Sequence, residues 1–126
     1  MILGVGTDIV KVSRIQSSLD RYGERFARRI LTAAELNAFL TEKRQAHFLA
    51  KRFAAKEAVV KALGTGFRDG IKFSDIHVTH DSLGKPDLRY DGNTAQLLDK
   101  MGVYQSHISL ADEHDYAIAF VILERS

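Results

Sequence analysis

A small single-domain α+β fold, a mostly antiparallel sheet packed against one long helix, is what the sequence predicts. Three observations carry the prediction. The periodicities run strand, three short helices, a long helix, two strands, a helix and two strands along 126 residues, the order of a mixed antiparallel domain of ordinary single-domain length, spanning residues 1–126. Leu49, Phe53, Lys56, Val60 and Leu63 keep the four-three rhythm of one helix face. The stretch from Tyr116 to Leu123 is apolar on both faces, which asks for a cover on each. In so short a chain one of those covers could be a second subunit.

The elements follow in order. Ile2 to Val12 is rich in β-branched and aliphatic residues and reads as a strand, with Gly4 and Gly6 permitting a close backbone approach and Asp8 alternating onto the side of Val10 and Val12. Ser13 is placed to cap a helix over about 14–22, with Gly23 past its end. Glu24 to Leu31 fits a second helix. Thr32-Ala33-Ala34-Glu35 is a capping-box pattern opening a third, through about Glu42. The long helix spans about Gln45 to Leu63 and stops at Gly64, and 65–72 is a glycine-punctuated loop. Ile76 to Thr79 and Lys85 to Tyr90 are strands joined through the turn Asp81-Ser82-Leu83-Gly84, with Pro86 tolerated near a strand start. Asn93 to Met101 is a helix closed by Gly102. His107 to Ala111 and Tyr116 to Leu123 are the last strands, joined by Asp112-Glu113-His114-Asp115.

Composition narrows the chemistry. The chain has no cysteine, so disulfides, thiolate metal sites and a cysteine nucleophile are excluded, and a reducing cytoplasm is the expected location. Met1-Ile2-Leu3 runs into the first strand without a basic leader, and no apolar run reaches the roughly 20 residues of a membrane span. Net charge is +2, but residues 1–61 carry +6 and residues 62–126 carry −4. A basic half points to an acidic protein, a phosphorylated ligand or nucleic acid.

The charge is densest in the long helix. From Lys43 to Lys61 stand Lys43, Arg44, Lys51, Arg52, Lys56 and Lys61, with Glu57 the single acid. Glu57 and Lys61 form an i, i+4 pair, which at a surface is worth only about 0.3–0.5 kcal/mol, yet the surplus cations suggest an anionic ligand. Asp8 and Glu57 together would suit magnesium, which takes one or two carboxylates, waters and substrate phosphates. Two acids among several Lys and Arg are what a site sharing a polyphosphate between metal and cations requires. Taken alone, Asp8 reads more simply as an acid meeting an arginine.

Other motifs read as structural. Gly4-Val5-Gly6-Thr7-Asp8 lacks the third glycine that opens a helix in a dinucleotide site. Gly64-Thr65-Gly66 follows a helix where a phosphate loop precedes one, so its first role is a C-cap. Ser106, His107, Ser109 and Asp112 have the composition of a triad but no nucleophile elbow, and His107 reads as a hydrogen-bonding group. Arg14, Arg21, Arg25 and Arg28 are spaced by seven, four and three residues and could share one face, either solvated or a docking surface for an acidic protein. A non-enzymatic basic module binding nucleic acid is the alternative reading, but no helix-turn-helix, RNP motif or interleaved aromatic-basic sheet supports it, and it leaves Asp8 and Glu57 without a role.

Taken together, Gly4-Val5-Gly6-Thr7-Asp8-Ile9-Val10 and Phe53-Ala54-Ala55-Lys56-Glu57-Ala58-Val59-Val60-Lys61-Ala62, the latter followed by Gly64-Thr65-Gly66, resemble the two signatures of the holo-acyl-carrier-protein synthases, the short class of 4′-phosphopantetheinyl transferases. Leu83-Gly84-Lys85-Pro86 and His107-Ile108-Ser109-Leu110 resemble further family segments, so the likeness covers the whole chain. The resemblance implies transfer of the 4′-phosphopantetheine arm of coenzyme A to a serine of acyl carrier protein, releasing adenosine 3′,5′-bisphosphate, in support of fatty acid biosynthesis. It implies Asp8 and Glu57 as magnesium ligands, and Glu57 and Lys61 as catalytic residues, with either Glu57 or a metal-bound water as the base. It implies coenzyme A contacts at Arg52, Lys56, Lys61, Gly64, Gly66, Gly84, Lys85 and Pro86, with Arg52 at the 3′-phosphate, Lys61 at the pyrophosphate and Gly84 to Pro86 near the adenine. Arg14, Arg21 and Arg25 match the carrier-docking region. The family also implies a homotrimer with active sites between subunits, no nucleic acid partner and no membrane. Lys11 departs from the pattern, standing where many members carry an acid.

Overall fold

The computed structural model describes residues 1–68 and 70–126. The chain runs β1 (Ile2–Lys11), α1 (Val12–Tyr22), α2 (Glu24–Ile30), α3 (Ala33–Leu40), α4 (Gln45–Leu63), a 3-10 turn (Phe73–Asp75), β2 (Ile76–His80), β3 (Pro86–Tyr90), α5 (Gly92–Lys100), β4 (Val103–Asp112) and β5 (Tyr116–Arg125). Three strands form an antiparallel sheet in the order β1-β5-β4, and β2-β3 form a separate hairpin. The predicted α+β class and element order are the ones observed.

Helix α4 is the centre of the molecule. It lies across β1 and β5, with α1, α2 and α3 against its other sides. The crossing is close because both partners are small where they meet. Ala54, Ala55, Ala58 and Ala62 line the helix, and Gly4 and Gly6 face them from β1. A Cβ on Gly6 would sit 1.9 Å from the Ala58 carbonyl oxygen, and one on Gly4 1.9 Å from that of Ala62. The single apolar stripe expected for α4 is therefore too narrow a description. Lys61 is its only exposed residue, because sheet and helices enclose it almost completely.

Local signals set most boundaries. The Thr32–Glu35 capping box is formed in both directions, and Gly64 closes α4 in the left-handed conformation at φ 76°. The start of α1 differs from expectation. The helix begins at Val12, straight out of β1, and no side chain caps it; the Val12 amide donates instead to the Asp115 carbonyl across the sheet, at 2.8 Å. Strand β4 also begins earlier than expected, because its pairing with β5 extends to Val103 opposite Arg125.

The two faces of β5 divide sharply. Ala117, Ala119, Val121 and Leu123 are completely buried beneath α4. On the opposite face Ile118 and Phe120 are each 42% exposed. Ile9 of β1 pairs with Ile118, and Val5 lies on the same side opposite Ile122. This chain alone covers one face of its terminal strand and leaves the other an apolar surface.

Candidate active site

The close contact of β1 with α4 brings Asp8 to two residues of α4 that lie about fifty positions later in the sequence. Asp8 projects from the helix-facing side of β1, two residues beyond Gly6. Glu57 and Lys61 sit one turn apart on α4. The Lys61 ammonium donates to Asp8 Oδ1 at 2.8 Å and to the Thr7 carbonyl at 3.1 Å. Asp8 thus meets a lysine from the second motif, not the arginine that the strand alone suggested. Asp8 and Glu57 line a cavity of about 350 Å³ together with Lys11, Arg14, Phe26 and Phe53.

The electrostatics of this cavity favour an added cation. Burial pushes the Glu57 carboxyl above its ordinary range, the Asp8 charge pushes it the same way, and Lys61 opposes both. Two carboxylates, one of them paired with a half-exposed lysine, fit a hard divalent ion that draws its remaining ligands from water or a phosphorylated substrate. Among the described residues no group of three or more His, Asp or Glu side chains is placed to hold a metal, so the protein alone would supply only part of a coordination shell.

The remaining expected residues fall in several places. Arg14 lines the Asp8–Glu57 cavity. Arg21 and Arg25 are exposed on α1 and α2, and Arg21 lies 5.3 Å from the Tyr22 ring centre. Arg28, in contrast, is tied to Glu24 at 2.6 Å. Gly64 and Gly66 are exposed just beyond α4, both at positive φ. Gly84 has φ 86° in a turn built by Asp81, whose Oδ1 accepts from the amides of Leu83 at 2.8 Å and Lys85 at 2.9 Å. That turn carries Gly84 and Pro86 to a second cavity, of about 210 Å³, which Arg52 also lines. Lys85 faces a different hollow, alongside Gln105 and Ser106.

Lys56 is the correction. Expected among the coenzyme A contacts, it has no exposed surface. Its ammonium donates to Glu35 Oε1 at 2.6 Å, to the Ile30 carbonyl at 2.7 Å and to the Phe73 carbonyl at 3.1 Å. All three protons are committed, so none is left for a ligand. Glu35 is correspondingly saturated, accepting also from the amides of Thr32 and Val78, each at 2.9 Å. The pair locks α3, α4 and β2 together behind the site. Sequence reasoning missed Glu35 as a partner because it lies 21 residues before Lys56, beyond any helical spacing. It counted Lys51 only among the surplus cations of the long helix and gave no role to His80, yet both face the second cavity; their meeting depends on the packing of β2 against α4.

His107 behaves as a hydrogen-bonding group, pairing with Glu124 across β4 and β5. The basic half of the chain does not form one continuous cationic face, since Lys56 is buried, Lys61 is paired with Asp8 and Arg28 with Glu24.

Comparison with known proteins matches this architecture. A family model described as the 4′-phosphopantetheinyl transferase superfamily covers residues 4–121. A holo-[acyl-carrier-protein] synthase of Vibrio cholerae is 53% identical over 125 residues, 99% of each chain. The crystal structure of a holo-[acyl-carrier-protein] synthase from Neisseria meningitidis superposes with a TM-score of 0.94 at 44% identity, over 99% of this chain and 100% of that one. The enzyme of that name from Bacillus anthracis, in complex with CoA (3′,5′-ADP), superposes with a TM-score of 0.84 at 39% identity, over 100% and 99% of the two chains.

Proposed function

This chain belongs to the 4′-phosphopantetheinyl transferase superfamily, and from that premise we propose the reaction and the residues that carry it. It transfers the 4′-phosphopantetheine arm of coenzyme A to a serine of apo acyl carrier protein, giving holo carrier and adenosine 3′,5′-bisphosphate. The structural observation that supports this reading most directly is the meeting of Asp8, Glu57 and Lys61 at the crossing of β1 and α4.

The chemistry is a displacement at phosphorus. The serine oxygen forms a bond to the pyrophosphate phosphorus that bears pantetheine, the bond from that phosphorus to the bridging oxygen breaks, and the nucleotide leaves with the electron pair. Negative charge grows on the phosphoryl and leaving oxygens, which positioned cations stabilise. Lys61 is suited to this task because its ammonium already stands at the carboxylate of Asp8. Glu57 and Asp8 are the two carboxylates that line the cavity, and Glu57 accepts the serine proton, directly or through one water. Asp8 and Glu57 would hold magnesium, which when bound supplies further charge neutralisation for the pyrophosphate.

Around this centre, Arg52 with Gly84 and Pro86 holds the nucleotide end of coenzyme A, and Lys85, Gly64 and Gly66 border its path. Lys56 stands behind the site as its internal support. Arg14, Arg21 and Arg25 dock the acidic carrier, and Arg14 connects that surface to the reaction cavity. The exposed apolar face of β1 and β5 supports a homotrimer with active sites between subunits. Among the described residues no helix is long and apolar enough to cross a membrane. The absence of cysteine is compatible with action in the cytoplasm, where the holo carrier would serve fatty acid synthesis.

The test is mass spectrometry of apo acyl carrier protein incubated with this protein, coenzyme A and magnesium. The carrier should gain the mass of one phosphopantetheine arm, and a chelator should abolish the gain. A folded protein that leaves a competent carrier unmodified would overturn the transferase reading.

A further inference from the structure

Glu35 is the one acid buried among the described residues, at 5% exposure, and the transfer reaction gives it no task. Its two oxygens face different ways. Oε1 accepts from the Thr32 amide at 2.9 Å and from the Lys56 ammonium at 2.6 Å, contacts that close the start of α3 onto α4. Oε2 accepts from the Val78 amide at 2.9 Å and lies 3.7 Å from Arg52 Nη1. Arg52 in turn donates to the Val78 carbonyl. One charge pair, reaching out from α3 and α4, therefore holds both backbone groups of Val78.

The β2–β3 hairpin has need of such a grip. It is separate from the three-stranded sheet, and two strands alone are marginally stable in water. Its placement therefore depends on what fastens it to the rest of the molecule. Val78 stands two residues before His80, the last residue of β2, which pairs with Pro86 across the turn. The pair thus fastens the hairpin close to the end that carries Gly84 and Pro86. Arg52 is ordered by the same arrangement. Its guanidinium also stands 4.6 Å from the Phe48 ring centre, and a guanidinium fixed in this way loses less freedom when it meets an anion. Burial pushes the Arg52 guanidinium down, and Glu35 pulls it back up.

We propose that Glu35 is a positioning residue for the transfer reaction. Its Oε2 side holds Arg52 and the β2–β3 hairpin in the relative placement that coenzyme A needs, while its Oε1 side serves the fold alone. Glu35 touches no substrate and acts only through Arg52 and Val78. The inference rests on the coenzyme A reading and deepens it.

Calorimetric titration of the full chain with coenzyme A tests this without requiring turnover. Glu35→Gln alone would leave Lys56 buried without a counter-charge, so it is combined with Lys56→Met, which removes that cost. The double variant should fold, yet bind coenzyme A about tenfold more weakly, the order expected when one charge-assisted contact is loosened. In turnover, its KM for coenzyme A should rise by the same factor, while kcat at saturating coenzyme A and the KM for the carrier stay near those of the wild type. In an Arg52→Ala background the same double exchange should alter coenzyme A affinity by about twofold or less, because Glu35 then has no guanidinium to hold. Glu35→Asp, which keeps the charge but shortens its reach, should give an intermediate loss and needs no compensating change. Overturning results are a double variant with wild-type affinity for coenzyme A, or an equal loss with and without Arg52; either would leave Glu35 a purely structural group. Failure of the transferase reading is distinct: it would show as an unmodified carrier while the wild type binds coenzyme A and the variants lose that affinity.

Discussion

Lys56 and Lys61 differ by five residues and perform opposite tasks. Lys61 is exposed and bridges to Asp8, whereas Lys56 is sealed inside against Glu35. A buried pair resists loss of one partner more than it adds net stability. Lys56→Met should therefore destabilise the protein by about 3–5 kcal/mol, because it strands the Glu35 carboxylate. Lys56→Met combined with Glu35→Gln should recover most of that loss in urea unfolding. An additive double variant would disprove the coupling. Glu57 shows the converse, a residue kept at a cost to the fold. Its carboxyl is held above the ordinary value of 4.5 by burial and by Asp8. Because the folded state then binds the proton more tightly than the unfolded state, ionised Glu57 disfavours folding increasingly as pH rises past that value. Glu57→Gln should abolish carrier modification, and in metal-free protein its urea midpoint should exceed the wild type's by more at about pH 7 than at about pH 4. Near-normal turnover in this variant would remove Glu57 from the mechanism.

At the scale of elements, the site depends on how closely β1 approaches α4. Gly6 permits that approach, since a Cβ there would meet the Ala58 carbonyl at 1.9 Å and the Ala62 amide nitrogen at 2.7 Å. Backbone atoms cannot rotate away, so Gly6→Ala must push strand and helix apart. It should cost about 1–3 kcal/mol or more in stability and lower turnover by displacing Asp8 from Glu57 and Lys61. Equal activity and stability in the variant would show that the crossing tolerates separation. The same elements show what sequence can convey. The Thr32–Glu35 cap and the Gly64 stop were legible because donor and acceptor lie within one turn of each other. The start of α1 was not, because the acceptor for its Val12 amide is the carbonyl of Asp115, far along the chain. Asp8 and Glu57 were recognisable as a pair through their two motifs, while the Glu35–Lys56 lock and the His80–Lys51 cavity wall arise only once α3 and β2 pack on α4.

At the scale of the molecule, the apolar outer face of the sheet remains to be satisfied. Ile9 is 62% exposed and Val5 51%; Ile9 lies opposite Ile118, and Ala111 of β4 flanks Ile118 from the other side. These residues form a continuous surface across three strands, which water solvates poorly and which a second copy could bury. Asp8 alternates with Thr7 and Ile9 on β1, so the strand that carries the site's carboxylate also carries this outer surface. Occupying the surface would hold β1 in place and bring a neighbouring chain to the edge of the cavity. The wild type should sediment with the mass of three chains. Ile118→Glu, which places charge in the centre of the surface, should sediment as one chain and lose most carrier modification while retaining its helical circular dichroism. A wild type that is fully active as a single chain would detach the site from assembly and leave this face for another partner.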